Sequence, residues 1–351
     1  MTKVSLRKYG VAGVFGSAIV GLLCTPASAQ NAKGVGPQKC DVSMSVEDLL
    51  KVRPPKANKK YKIAVEEATL AGYWFQAYAY GAEKAALEAG VEITLDAGKG
   101  FLNQAQQLTN VENALSRGVD GILINPVDQK GAVAAVEAAL AKKVVIVASG
   151  TLVDSPKAFN IVQDDFVQGT VTGEFLAKLL PGGGEGIIMG GPANATWSAH
   201  RVLGLQDELK KHPTIKVSTV THQDVNPAEG LVKFTNAAQA HPKVDWIYST
   251  YNLLLPASSI PPNYSKAAYL TSGYEPETVL ALKSGALSAV VPVFPIWMGY
   301  LGMSYVIKKL NGEEIPSTTC IPNMVATKAN IGDAGIETGN IYPADWRPPV
   351  R

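Results

Sequence analysis

The chain has 351 residues, enough for about two domains at roughly 100–200 residues each. With 46% hydrophobic and 18% charged residues, it is too apolar and too lightly charged for a disordered chain, so a packed core is expected. A balance of 32 Lys+Arg against 30 Asp+Glu, formally +2, excludes a strongly basic protein that tracks phosphates by charge.

The chain opens with Lys3, Arg7 and Lys8, runs uncharged from 11 to 23, and continues Thr25-Pro26-Ala27-Ser28-Ala29. A basic head, a short apolar stretch and small residues at alternate positions read as a secretory signal peptide, cut after Ala29. The apolar run is too short for a spanning helix, which needs about 20 residues. Cys24, preceded by Leu22-Leu23, sits in a poor lipobox. Taking the three basic residues of the signal from 32 leaves 29 against 30 acidic, a net charge of −1. Cys40 and Cys320 then remain, and an oxidising compartment makes them a candidate disulfide, the alternative being two unpaired buried thiols.

Residues 30–60 read as a leader rich in Gly, Pro and Lys. Beyond it, β-rich runs at 62–65, 93–95, 121–124, 144–147 and 159–162 alternate with helical stretches at 75–89, 103–116 and 130–141. Such alternation predicts a parallel sheet with helices on both faces. Gly121-Ile122-Leu123-Ile124 has no polar residue, as a strand covered on both sides requires. The pattern restarts with a helix at 166–180, stopped by Pro181-Gly182-Gly183-Gly184. Strands at 186–189, 216–221, 246–249, 269–272 and 289–293 follow, interleaved with helices at 197–211, 227–240, 276–284 and 297–310. The expected fold class is α/β, with two doubly wound parallel-sheet lobes meeting near Gln163-Asp164-Asp165.

In such sheets ligands bind beyond the carboxyl ends of the strands. The residues just past each predicted strand are therefore candidate cleft lining: Glu66, Glu67, Gly72 to Trp74, Phe101, Asn125, Ser149, Pro192 to Trp197, Tyr251, Asn252, Tyr274, Glu275 and Phe294. No HExxH, CxxC or GxSxG motif occurs. Gly182-Gly183-Gly184-Glu185-Gly186 lacks the Lys-Ser/Thr of a phosphate loop and precedes a strand, so it reads as a helix stop. No catalytic residue, metal site or cofactor is expected, and the chain is not read as an enzyme.

Aromatics make up only 7% of the chain, so their gathering at strand ends is informative. Aromatic faces attract cations at roughly 0.5–2 kcal/mol each and also stack on sugar rings and flat apolar ligands. Tyr73, Trp74 and Tyr274 fall in predicted loops, which favours a pocket over the core. Glu66 and Glu67 end a strand that should be buried, where a carboxylate is costly unless paired or hydrogen-bonded. They serve either a ligand or a salt bridge to Arg201. Asp164, Asp165 and Glu275 stand at strand ends or at the crossing between lobes.

Lys62-Ile63-Ala64-Val65 followed by Gly81-Ala82-Glu83-Lys84-Ala85-Ala86-Leu87-Glu88-Ala89-Gly90-Val91 resembles the opening unit of type I periplasmic solute-binding proteins. Gly118-Val119-Asp120-Gly121-Ile122-Leu123-Ile124-Asn125-Pro126, His241-Pro242-Lys243-Val244-Asp245-Trp246-Ile247 and Leu282-Lys283-Ser284-Gly285 are similar to later segments of that family, in the same order. The resemblance implies two lobes joined by three crossings and closing on a small ligand. It also implies a periplasmic location and an inner-membrane partner, usually an ABC-transporter permease of the ribose or other sugar class. Sugar binders of the family carry Asn-x-Phe-Phe where this chain has Ala71-Gly72-Tyr73-Trp74-Phe75, and an Asp-Arg type pair at Ala148-Ser149-Gly150. Arg201, Asn252 and Glu275 correspond to their Arg, Asn and late Asp, and Val293 or a neighbour to their hinge Gln. Tyr73-Trp74, Tyr274 and residues 97–101 also resemble the TorT-like branch, sensors of trimethylamine N-oxide that signal to a membrane histidine kinase.

The expectation is thus an exported periplasmic binding protein with a signal peptide at 1–29, a leader at 30–60, an N-terminal lobe at 61–163 and 294–324, and a C-terminal lobe and tail at 164–293 and 325–351. The expected pocket is an aromatic box of Tyr73, Trp74, Phe101 and Tyr274, with Trp197 and Tyr251 beside it. Glu67, Asp165, Arg201, Asn252 and Glu275 are its polar partners. Such a box favours a small amine-like or weakly polar ligand, with a sugar as the alternative. The expected partner is a permease or a sensor histidine kinase, with no nucleic acid, and the protein is expected to be a monomer.

Overall fold

The structure, a computed structural model, describes residues 36–100, 103–193, 195–264 and 266–349. The expected signal peptide and Phe101 lie outside the described residues. Seven parallel strands form the first sheet: β1 (Val42–Ser43), β2 (Lys62–Glu67), β3 (Glu92–Ala97), β4 (Gly121–Ile124), β5 (Val145–Gly150), β6 (Phe159–Gln163) and, late in the chain, β12 (Thr318–Ile321), in the order β1-β12-β6-β5-β4-β2-β3. The second sheet holds β7 (Gly184–Met189), β8 (Ile215–Thr221), β9 (Trp246–Ser249), β10 (Ala268–Ser272) and β11 (Ala289–Val291), also parallel, in the order β11-β10-β9-β7-β8.

Both sheets are covered on both faces, which explains their apolar strands. Ile63, Val65 and Leu123 pack with α2 (Tyr73–Ala89) and α9 (Pro295–Leu310). Ala64, Ile122 and Ile124 alternate to the other face, against α3 (Gln104–Ser116) and α4 (Val133–Ala141). In the second lobe Ile187, Met189 and Ile247 pack with α7 (Pro227–Ala240) and α8 (Pro276–Ser284). There, Ile188, Trp246 and Tyr248 face α5 (Asp165–Leu179) and α6 (Thr196–Leu209). Each such large side chain, fully buried, contributes about 1.5–3 kcal/mol.

The chain passes between the sheets after β6, after β11 and after β12. Gln163 ties these passages together. Its Nε2 donates to the Pro292 carbonyl and to the Pro322 carbonyl, each at 2.9 Å. Asp164 caps α5 by accepting from the Phe166 and Val167 amides at 3.0 and 3.1 Å, while its own carbonyl accepts from Asn323 Nδ2 at 3.0 Å.

The region expected as a leader is ordered from residue 36. Its β1 pairs with β12, and α1 (Val46–Lys51) begins with a capping box between Ser45 and Asp48. Cys40 and Cys320 are joined in a disulfide, with Cα atoms 5.8 Å apart. The C-terminal stretch touches both lobes. Ala326 bridges Val290 beside the second sheet, and Ile336 of α10 (Ala334–Asn340) enters the second lobe's core. Beyond α10, the tail turns back onto α2 of the first lobe. The Trp346 Nε1–H donates to Glu83 Oε2 at 2.6 Å, and the Tyr342 hydroxyl donates to Gln76 Oε1 at 2.8 Å. Among the described residues, no helix is long and apolar enough to cross a membrane.

Candidate functional site

A cleft of about 860 Å³ opens between the carboxyl ends of the two sheets. The most constrained part of its second-lobe wall is built by α5 and α6. These helices touch backbone to backbone: a Cβ on Gly204 would lie 1.9 Å from the Phe166 carbonyl oxygen. That close approach brings Asp165, in the first turn of α5, to Arg201. Arg201 Nε donates to Asp165 Oδ1 at 2.8 Å and Nη1 donates to the Thr250 carbonyl at 2.7 Å. The guanidinium also lies over the Trp197 ring, 4.9 Å from its centroid and one helical turn away. Burial lifts the Asp165 carboxyl above its ordinary range despite the Arg201 charge beside it. The salt bridge considered for Glu66 and Glu67 is therefore not formed; Arg201 is held by Asp165.

Beyond β9 and β10, Tyr251, Asn252 and Glu275 complete this wall. The Asn252 Nδ2 amide donates to Glu275 Oε2. Burial first, then the neighbouring charge of Glu277, push the Glu275 carboxyl up to about 7 against the Asn252 hydrogen bond. Gln223 Nε2 donates to the Tyr251 hydroxyl at 3.4 Å.

The first-lobe wall starts at the mouth of α2. Gly72, at φ +103°, turns the chain so that Tyr73, Trp74 and Phe75 open the helix at the cleft. Trp74 stacks on Tyr78 with centroids 5.6 Å apart, and Phe75 meets it edge-on at 5.2 Å. Tyr73 stacks on Tyr342 of the tail, 4.6 Å between centroids, and its oxygen accepts the Tyr342 backbone N–H at 3.3 Å. Asn125, Gly150 and Met298 form the floor.

Of the eleven ligand residues expected from sequence, eight line this cleft: Tyr73, Trp74, Asp165, Trp197, Arg201, Tyr251, Asn252 and Glu275. Phe101 lies outside the described residues. Tyr274 and Glu67 stand off the lining, and the expected aromatic box is not assembled as drawn. Gly273, at φ +100°, reverses the chain after β10, so Ser272 and Glu275 face the cleft while Tyr274 enters the second lobe's core. There its hydroxyl accepts the Gly332 N–H at 3.4 Å. Glu67 is fully buried behind the floor and accepts from Asn125 Nδ2 at 2.9 Å. Glu66 faces the opposite side of the sheet, near Asp96 and Arg117. Ser149 and Phe294, also candidates, are buried off the lining.

Gln163, His222 and Gln223 line the cleft and were not among the expected residues. His222 and Gln223 directly follow β8, whose end at Thr221 matches the predicted strand, so the strand-end rule applied to that strand would have found them. Among the described residues, no group of three His, Cys, Asp or Glu side chains is placed to hold a metal ion.

Two covered parallel sheets, a hydrogen-bonded hinge and a cleft with aromatic and polar walls define a two-lobed solute-binding protein. The chain belongs to the periplasmic binding protein domain family, whose sequence model matches residues 68–314. It is similar to the ribose import binding protein RbsB of Salmonella typhimurium, 28% identical over 266 residues that cover 74% of this chain and 88% of that one. It is also similar to the periplasmic protein TorT of Escherichia coli, 22% identical over 302 residues, 84% of this chain and 86% of that one. Among solved structures, a sugar ABC transport system substrate-binding protein from Bordetella parapertussis aligns with a TM-score of 0.78 at 22% identity, covering 85% of this chain and 99% of that one.

Proposed function

We propose that this protein is exported, captures a small polyhydroxylated solute, a sugar or sugar alcohol, in the interlobe cleft, and delivers it to an ABC-transporter permease in the inner membrane. The observation that carries the reading is the Arg201 arrangement: a guanidinium fixed by Asp165 and the Thr250 carbonyl, backed by Trp197, on a wall that also carries Asn252, Glu275 and Gln223. Fixed donors and acceptors beside flat aromatic surface suit a ring that carries a hydroxyl on most carbons. A site built to hydrogen-bond hydroxyls rejects ligands that lack them, because its buried polar groups are then left unpaired.

The similarity to ribose import binding proteins supports the same ligand class and an import role. It places the sugar reading ahead of the amine-like ligand expected from the aromatic residues. That expectation leaned on Tyr274, which packs in the core, and on Tyr73, one face of which is occupied by Tyr342.

Calorimetry and thermal shift with D-ribose, D-arabinose, xylitol, myo-inositol and trimethylamine N-oxide test the proposal. At least one sugar or polyol is expected to bind and raise Tm, and Arg201→Ala is expected to weaken that binding at least tenfold. Stabilisation by trimethylamine N-oxide alone would sink the sugar reading.

A further inference from the structure

We infer that Glu67 is a positioning residue: it fixes the orientation of the Asn125 side-chain amide so that the cleft floor presents a carbonyl acceptor and selects a ligand with a hydrogen-bond donor at that point. The inference rests on the cleft being the ligand site.

Asn125 is held on every side but one. Its backbone N–H donates to the Glu66 carbonyl at 2.9 Å, and its backbone carbonyl accepts from Gln107 Nε2 at 2.7 Å. The other end of Gln107 is occupied as well, since Oε1 accepts the Val127 N–H at 3.0 Å. The main chain of Asn125 is therefore pinned between β2 and α3, and only its side chain has a choice. Two orientations of an amide have the same shape and opposite chemistry. In the structure Nδ2 points inward and donates at 2.9 Å to Oε2 of Glu67, a residue with no solvent exposure.

The opposite end, Oδ1, then faces the cleft. It lies beside Gly150, where a Cβ would come within 2.8 Å of this oxygen and 3.2 Å of the Trp74 ring tip. Both Gly150 and Trp74 line the cleft, and the missing Cβ leaves the acceptor uncovered. Glu67 is otherwise hard to explain. A carboxyl buried at the end of an apolar strand costs free energy, and its Oε1 has no hydrogen-bond partner among the described residues. Its partners are the amide it orients and the backbone of Ala68. Burial holds the Glu67 carboxyl well above the usual carboxylate range, against the opposing pull of the Asn125 hydrogen bond.

The decisive measurement needs no ligand. The side-chain amide protons of Asn125 are followed by 15N correlation spectroscopy and assigned by their loss in Asn125→Asp. In the wild type one Nδ2 proton, engaged with Glu67, is expected to exchange with solvent at least tenfold more slowly than that of an exposed asparagine. Glu67→Gln, which keeps an acceptor, is expected to preserve the protection, and Glu67→Met to remove it. Two freely exchanging Nδ2 protons in the wild type, or full protection in Glu67→Met, would overturn the inference. A binding arm uses whichever sugar of the panel above stabilises the wild type. Glu67→Met is expected to weaken it at least tenfold, Glu67→Gln less than threefold, and Glu67→Met to add nothing in an Asn125→Ala background. A further loss in that background would mean that Glu67 does not act through Asn125. If no panel sugar binds, the proposed ligand class fails while the exchange measurement still decides the orientation.

Discussion

At the scale of single residues, the cost of buried acids is the clearest physical signal. Glu66 and Glu67 close a strand whose other side chains from Ile63 on are apolar, and both are fully buried. Both Glu66 carboxyl oxygens lack partners among the described residues. Burial, with a smaller contribution from Asp96 and against the opposing charge of Arg117, raises this carboxyl to about 9. The folded chain therefore keeps a proton that the unfolded chain loses above its ordinary value of 4.5. The folded state binds more protons in that window, so stability falls as pH rises from about 4.5 to about 9. Glu66→Gln is expected to flatten this slope. Urea unfolding should find the variant more stable than wild type by on the order of 2–4 kcal/mol at pH 8, and the two nearly equal at pH 5. The sequence alone marked both acids as anomalous but not their directions: β2 alternates, sending Glu67 beneath the cleft and Glu66 to the other face.

At the scale of elements, the long periodic helices and the buried strands were legible, because their apolar patterns are local. The short elements were not. β1 has two residues and exists because β12 lies beside it, with Val42 opposite Thr319 and Ser43 opposite Cys320. The disulfide fixes that pairing, and in a chain-entropy picture a bond closing so long a loop contributes about 2–5 kcal/mol. A Cys40→Ser/Cys320→Ser pair should lower stability by that amount in denaturant unfolding, with loss of protection in β1 measured by hydrogen exchange. The tail is a second case. Tyr342 and Trp346 stand in a stretch without periodicity, yet on α2 Tyr342 stacks on Tyr73 and Trp346 meets Tyr80 edge-on. Trp346→Ala is expected to lose about 1–3 kcal/mol for a half-buried indole and its bond to Glu83. It should also weaken ligand binding, because Tyr342 would no longer be held against Tyr73. Unchanged affinity in calorimetry would show that the tail acts on stability alone.

At the scale of the whole molecule, two lobes are joined by three passages of the chain. Among the described residues, Gln163 is the one side chain that bonds two of the other passages between the lobes. Gln163→Leu leaves the buried Pro292 carbonyl and the half-buried Pro322 carbonyl without this donor and should cost about 1–3 kcal/mol in all. Small-angle scattering without ligand should then find a larger radius of gyration than in the wild type. The sequence by itself determined the two α/β lobes, the cleft between strand ends and most of its lining, because strand period, helix period and the position of a strand's end are properties of neighbouring residues. Only the tertiary structure decided which way each side chain faces at a turn, as Gly273 does for Tyr274 and Glu275. It also decided which distant segments meet: Asp165 with Arg201, Tyr73 with Tyr342, Gln163 with Pro292 and Pro322. These contacts join residues tens to hundreds of positions apart, and no local pattern encodes a partner that folding alone brings near.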